Sequence, residues 1–84
     1  MAHHEYMTRG VCAKAIDFDI EDGKLHDIKF YGGCNGNLKA IGKLLEGADA
    51  AETADILRGN TCGPRSTSCA DQLSRAIDKA LAEA

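Results

Sequence analysis

Four cysteines, Cys12, Cys34, Cys62 and Cys69, are the residues of this 84-residue chain best suited to chemistry. Two of them lie in Thr61-Cys62-Gly63-Pro64-Arg65-Ser66-Thr67-Ser68-Cys69-Ala70-Asp71, together with the only proline and a helix-start signal. Ser68 is placed to cap a helix whose third residue is Asp71, as in a capping box. Cys69 then falls in the first turn, facing unpaired backbone N–H groups and the positive end of the helix dipole. Both favour thiolate over thiol. Gly63 and Pro64 let the loop from Cys62 turn tightly, and Arg65 adds positive charge. This stretch reads as half of a four-thiolate site whose other half is Cys12 and Cys34. Read alone, it fits equally well a loop with ordinary buried cysteines before an amphipathic helix.

The cysteines are separated by 21, 27 and 6 intervening residues, and none of these intervals is the Cys-x-x-Cys of zinc knuckles or dithiol redox sites. The case for a shared site is positional. Cys12 precedes a strand hairpin and Cys34 follows it, which brings both to one end of the sheet. Cys34, Cys62 and Cys69 all flank helix starts or glycine-containing loops. Four thiolates select zinc or an iron–sulfur cluster, and helix N-termini with Arg9, Lys14 or Arg65 can offset the negative charge. Gly33, Asn35, Gly36, Arg65 and Ser68 are the residues expected to support the thiolates or bind an anion at a helix start. A redox-active thiol pair and inert cysteines are the competing readings. No Walker loop and no Ser-His-Asp order stands out.

The elements that must position these thiols are short. Ile16, Phe18 and Ile20 alternate with Asp17 and Asp19, the period-two pattern of a half-buried strand. Asp22-Gly23 supplies the positive φ angles of a hairpin turn. The return strand runs from Leu25 to Tyr31, with Ile28 and Phe30 inward. His26, on this strand, reads as solvated or hydrogen-bonded rather than as a ligand. Asn35 or Asn37 then caps a helix with Leu38, Ile41, Leu44 and Leu45 on one face, ended by Gly47. Asp49 caps a second helix, with Glu52 as partner and Ala54, Ile56 and Leu57 apolar, and Gly59 closes it. The last helix runs from Cys69 to about Ala82, with Leu73, Ala76, Ile77, Ala80 and Leu81 on its apolar face.

The predicted fold is α+β: a small antiparallel sheet built on the hairpin, with residues up to about Met7 either a further edge strand or frayed, packed on one face by three helices. The inward set is Ile16, Phe18, Ile20, Ile28, Phe30, Leu38, Ile41, Leu45, Leu57, Leu73 and Ile77. One domain is expected over residues 1–84, with residues 1–4 disordered and His3-His4 not a ligand pair. A chain this size buries only about 60% of its unfolded surface, so it benefits from a metal or disulfide staple. The net charge of −3, with scattered Lys and Arg, argues against a nucleic-acid partner. No apolar run reaches the roughly 20 residues that span a bilayer, and the N-terminus lacks the pattern of a signal peptide. The expected location is the cytoplasm, where thiols stay reduced.

The residues Gly10-Val11-Cys12, Gly32-Gly33-Cys34-Asn35-Gly36-Asn37, Cys62-Gly63 and Thr67-Ser68-Cys69-Ala70-Asp71-Gln72-Leu73 resemble the stand-alone, four-cysteine TSCPD-domain family over nearly the whole chain. Ala70 stands where the family motif has proline, a change that costs little in a first helical turn. That domain also occurs at the C-terminus of ribonucleotide reductases, so the resemblance implies a link to deoxynucleotide synthesis. Eighty-four residues cannot hold a reductase's barrel, and the resemblance implies an accessory metal module rather than a complete enzyme. A thiol–disulfide relay to a reductase is the alternative. More distantly, Cys12, Cys34 and Cys69 are similar in position to the three cysteines of the IscU/NifU-type iron–sulfur scaffold, which would imply that fold and a cluster scaffold or carrier role. The scaffold's aspartate and histidine are replaced by Lys14 and Ser68, and Cys62 is additional. A fourth thiolate suggests a closed site.

Overall fold

A computed structural model describes residues 2–8, 11, 13–32, 35–61, 63 and 67–83. Strand β1 is Ala2–Met7, β2 Ala13–Glu21 and β3 Lys24–Gly32. They form an antiparallel sheet in the order β1-β2-β3. Helix α1 is Asn35–Leu45, α2 Ala50–Leu57 and α3 Cys69–Glu83. The predicted α+β class is the one observed. Residues 2–4, expected to be disordered, are instead paired in β1, with His3 opposite Asp19 and His4 opposite Phe18. His4 faces the core, its ring centroid 5.6 Å from that of Phe18.

The Asp22-Gly23 turn takes φ angles of 54° and 76°, as a tight hairpin demands. Beyond the turn the strands depart from plain alternation. Asp17 pairs with Lys29 and Asp19 with His26, so β3 carries one extra residue there. The extra residue forms a bulge at Asp27, whose φ is 51°. Leu25 and Ile28, an odd number of residues apart, therefore both point inward and are buried. Leu25, left out of the predicted inward set, is a fully buried core residue for this reason. A second irregularity, between Ala13 and Ala15, lets Ala13 share the inner face with Ile16 and Phe18.

The amide freed at the Asp27 bulge donates to Glu46 Oε1 at 2.9 Å, and His26 Nδ1 lies 2.6 Å from Glu46 Oε2. These bonds hold the Glu46 carboxyl below its ordinary pKa, the Asp27 amide contributing most and His26 next. They also hold the end of α1 against β3. Gly47, with φ at 78°, then turns the chain so that Gly47 and Ala48 bond to the Leu25 backbone. Asp49 caps α2 as expected, accepting from the Glu52 amide at 2.9 Å.

The core joins Ile16, Phe18, Leu25 and Ile28 of the sheet to Ala50 and Ala54 of α2 and Leu73, Ala76, Ile77 and Ala80 of α3. Ile20, Phe30, Ile41, Leu45 and Leu57 pack around it half-buried. The predicted strand register is therefore correct, with Phe18 and Phe30 on the core side. Leu44, expected on the same helix face as Leu38, Ile41 and Leu45, is 82% exposed, and the apolar Ile56 of α2 is 71% exposed; neither belongs to the predicted inward set. Leu38, Ile41 and Leu45 form the seam of α1, and Leu44 lies outside it. Asn37 lies inside α1, which begins at Asn35, and so is not its cap. Arg58 bonds Asp55 at 2.8 Å and forks onto Asp78 at 2.9 and 3.0 Å, tying α2 to α3. Among the described residues no helix is long and apolar enough to cross a membrane.

Helix α1 approaches β3 so closely that a Cβ at Gly42 would stand 2.9 Å from the Ile28 carbonyl oxygen. Gly42→Ala is expected to destabilise by about 1–3 kcal/mol, because backbone rather than a flexible side chain blocks the methyl. Gly36→Ala in the same helix meets open space and is expected to be neutral or to gain up to about 1 kcal/mol. Urea unfolding of the two variants checks this; equal stabilities would refute the close contact.

Candidate functional site

The described part of the site is built around the start of α3. Ser68 caps the helix: its Oγ accepts from the Asp71 amide at 3.0 Å and donates to the Asn60 carbonyl. The first half of the expected capping box is present. Asp71, however, does more than complete a box. Its Oδ1 accepts from the Gly59 amide at 2.8 Å, and its Oδ2 accepts from the Thr67 hydroxyl and pairs with Arg75 Nε at 3.0 Å. Gln72 Nε2 donates to Thr67 Oγ1 at 3.0 Å, and Ser74 Oγ to the Asp71 carbonyl at 2.6 Å. Thr67, Ser68, Asp71, Gln72 and Ser74 are all buried, Asp71 to 2% exposure.

A buried carboxylate is costly unless its oxygens are satisfied. Burial pushes the Asp71 carboxyl upward, but the Thr67 hydroxyl, the Gly59 amide and the Arg75 guanidinium outweigh it and leave the pKa below the ordinary value. The carboxylate therefore stays charged and fastens the end of α2 to the start of α3. Cys69 is the first residue of that helix and is only half-buried, between the buried Ser68 and Asp71. The polar residues of Thr67-Ser68-Cys69-Ala70-Asp71 build the frame, and the cysteine is left partly accessible on it.

The remaining predicted positions are unevenly described. The strand ends that lead to Cys12 and Cys34 meet directly, because Ala13 and Gly32 are paired. Thr8 joins the same end, its amide bonding the Lys14 carbonyl at 3.3 Å and its hydroxyl the Ala13 carbonyl. Cys12, Gly33, Cys34, Cys62 and Arg65 themselves lie outside the described residues. Asn35 opens α1 and Gly36 follows it, exposed. Ser68, expected to support thiolates or an anion, has its hydroxyl hydrogen on the Asn60 carbonyl. A groove of about 590 Å³ lies between β3 and α1, lined among the described residues by Ile28, Phe30, Leu38, Lys43 and others.

The network at Asp71 escaped the sequence reading because Gly59 lies 12 residues upstream in a loop. The one available signal was the Ser68/Asp71 spacing, which revealed a cap but not its tertiary partner.

The family model of the TSCPD domain matches residues 1–81. The chain belongs to the TSCPD-domain family. No curated protein and no solved structure matches it, so the likeness to the IscU/NifU scaffold rests on cysteine positions alone. In this TSCPD domain Ala70 occupies the second position of α3. A proline in a first helical turn would forgo an amide that has no partner within the helix, which accounts for either residue being suitable.

Asp71→Asn keeps the shape but removes the charge from the network, and a loss of about 1–3 kcal/mol is expected. The sign with pH follows from the lowered pKa. The charged carboxylate contributes stability above its unfolded value, near 3.8, and that contribution disappears as pH falls through the lower folded value. Wild type and variant should therefore converge in stability on acidification below about pH 4. Thermal unfolding between pH 2 and 7 measures this; a gap that does not narrow would refute it.

Proposed function

We propose that this TSCPD domain is a non-enzymatic metal-binding module in which Cys12, Cys34, Cys62 and Cys69 hold one zinc ion or iron–sulfur cluster, and that it serves ribonucleotide reduction as an accessory to the reductase. The observation that carries the reading is the frame at α3. Four side chains and a loop amide are spent on fixing the first turn while Cys69 stays partly accessible. The direct pairing of Ala13 with Gly32 supports the same reading for the other half, since it joins the strand ends adjoining Cys12 and Cys34. The donor set fits the group: four sulfurs are the preference of zinc and of iron–sulfur clusters and of few other ions.

In this reading each part of the chain has a distinct task. Cys69 supplies a thiolate from a helix start whose dipole favours negative charge. Asp71, through Gly59 and Thr67, keeps that start from moving relative to α2. When bound, zinc would supply folding free energy, and a cluster would add one-electron chemistry. The reductase link is supported by membership of a family whose domain also ends ribonucleotide reductases. A thiol–disulfide relay is the second reading. The four cysteines lack the Cys-x-x-Cys spacing usual for dithiol redox sites, which favours the metal.

Anaerobic purification followed by metal and sulfide analysis separates the cases. Iron with sulfide indicates a cluster, stoichiometric zinc a closed structural site, and a folded metal-free protein overturns the proposal. Cys→Ser at each of the four positions is expected to lower metal content and melting temperature together, because binding free energy here is folding free energy, of about 10–16 kcal/mol for structural zinc. If Cys12→Ser and Cys34→Ser keep fold and redox activity while Cys62→Ser and Cys69→Ser abolish the latter, the relay replaces the metal. Full occupancy in Cys62→Ser would remove Cys62 from the ligand set.

A further inference from the structure

The outer face of the sheet, opposite the helices, carries a second set of donors separate from the cysteines. Strand alternation turns His4 and Tyr6 toward the core and leaves His3 and Glu5 on the open side. The register sets His3 beside Asp19 and Glu5 beside Asp17. His3 and His4 thus cannot serve one ion as a pair, since they lie on opposite faces. His3 instead converges with carboxylates. Its Nδ1 is 2.7 Å from Asp19 Oδ1, while its Nε2 is 3.7 Å from Glu5 Oε1 and 3.8 Å from Asp17 Oδ2. One donor atom from each of His3, Glu5 and Asp17 lies within 4.8 Å of the other two. The Tyr31 hydroxyl, from β3, donates to Asp17 Oδ2 at 2.8 Å.

Two features bear on whether this group can hold a cation. The first is the division of labour on the imidazole. With Asp19 accepting from Nδ1–H, the other nitrogen is turned toward the two remaining carboxylates. A histidine held by a carboxylate on one nitrogen and presenting the other is the usual arrangement around a metal-ligating imidazole. The second is electrostatic. Three carboxylates surround one imidazole, chiefly Asp19, and favour a positive charge among them, which either a proton on the ring or a bound cation can supply. The imidazole nitrogen stands 3.7 and 3.8 Å from the two carboxylate oxygens. Bonds of about 2.1 Å place neighbouring donors about 3.0–3.4 Å apart, so both carboxylates must draw inward on an ion, Glu5 from an exposed position. Lys29, the cross-strand partner of Asp17, and His26, that of Asp19, are the nearby groups that would compete as counter-charges.

We infer that His3, Glu5 and Asp17 form a binding site for a divalent cation, with Asp19 positioning the imidazole and Tyr31 positioning the Asp17 carboxylate. One nitrogen and two carboxylate oxygens suit a hard or borderline ion such as Mn²⁺ or Fe²⁺, with water completing the shell, whereas the cysteines select soft ions. The open face leaves the water positions accessible to oxygen ligands from outside the chain. This site is independent of the four-cysteine reading and stands or falls without it.

Mn²⁺ titration is the test, because thiolates compete poorly for it and its paramagnetism reports position. Electron paramagnetic resonance is expected to show free Mn²⁺ depleted with one-site saturation. Amide broadening in nuclear magnetic resonance spectra should centre on residues 3–5, 17–19 and 31. His3→Ala and Asp17→Asn are each expected to weaken binding at least about tenfold, and Asp19→Ala by roughly 10–100-fold through loss of orientation. Glu52→Gln, which removes an exposed carboxylate on α2, should leave binding unchanged. The amide spectra of the variants establish that each is folded. Broadening centred elsewhere, affinity unmoved by His3→Ala and Asp17→Asn, or no depletion at millimolar Mn²⁺ would overturn the site and leave His3 as a protonated counter-ion to its carboxylates.

Discussion

The buried Asp71 carboxylate is the constraint on which the arrangement of this domain turns. It receives the Gly59 amide from the end of α2, the Thr67 hydroxyl from the loop and the Arg75 guanidinium from its own helix. A charge taken out of water without such partners would cost several kcal/mol, so Gly59, Thr67 and Arg75 are all held against Asp71. That requirement is why five polar residues near the start of α3 are buried while Cys69 is not fully covered. In this chain the Thr67–Asp71 segment orients a helix start: Ser68 and Asp71 are bound to backbone and side-chain partners, and Cys69 stays partly accessible.

The rest of the core is modest, and the packing reflects it. Large aromatic residues are few, and alanines at positions 50, 54, 76 and 80 let the helices come close to one another and to the sheet. Gly42 does the same for α1 over the Ile28 carbonyl. Close approach by small residues compensates for the lack of bulky ones through dense contact. Polar ties at the periphery, Arg58 to Asp78 and Glu46 to the Asp27 amide, fix the helices laterally. A further stabilising element of about the strength of a structural metal would be a large share of the total in so small a domain.

The sheet has two functions in this architecture. Its inner face supplies the apolar floor, and its end at Ala13 and Gly32 adjoins two of the cysteines. Its outer face is uncovered and concentrates charge, with His3, Glu5, Asp17 and Asp19 in adjacent rows. Among the described residues, this one-sided sheet carries His3 and its surrounding carboxylates on the open face, while the strand ends that lead to Cys12 and Cys34 meet at Ala13 and Gly32. Membership of the TSCPD family bears on those strand ends through its cysteine motifs.

Local signals in the sequence determined the elements. Asp22-Gly23 specified the hairpin because only residues tolerant of positive φ make that turn. The alternation of Ile16, Phe18 and Ile20, and the spacing of Leu73, Ile77 and Ala80, specified which faces are buried. The caps at Asp49 and Ser68 were legible for the same reason, being contacts between residues three apart. Features that depend on residues distant in sequence were decided only by the tertiary structure. The Asp27 bulge, which buries Leu25, is stabilised by Glu46 from the far end of α1. Leu44 and Ile56 are apolar yet exposed, since the helix seams were set by what β3 and α3 offered them. The ordering of residues 2–4 came from pairing with β2, which no local propensity encodes. Asp71 was visible as a cap but not as a buried anchor. The carboxylate's decisive partner, the Gly59 amide, is brought to it by the packing of α2 on α3 and not by any spacing along the chain.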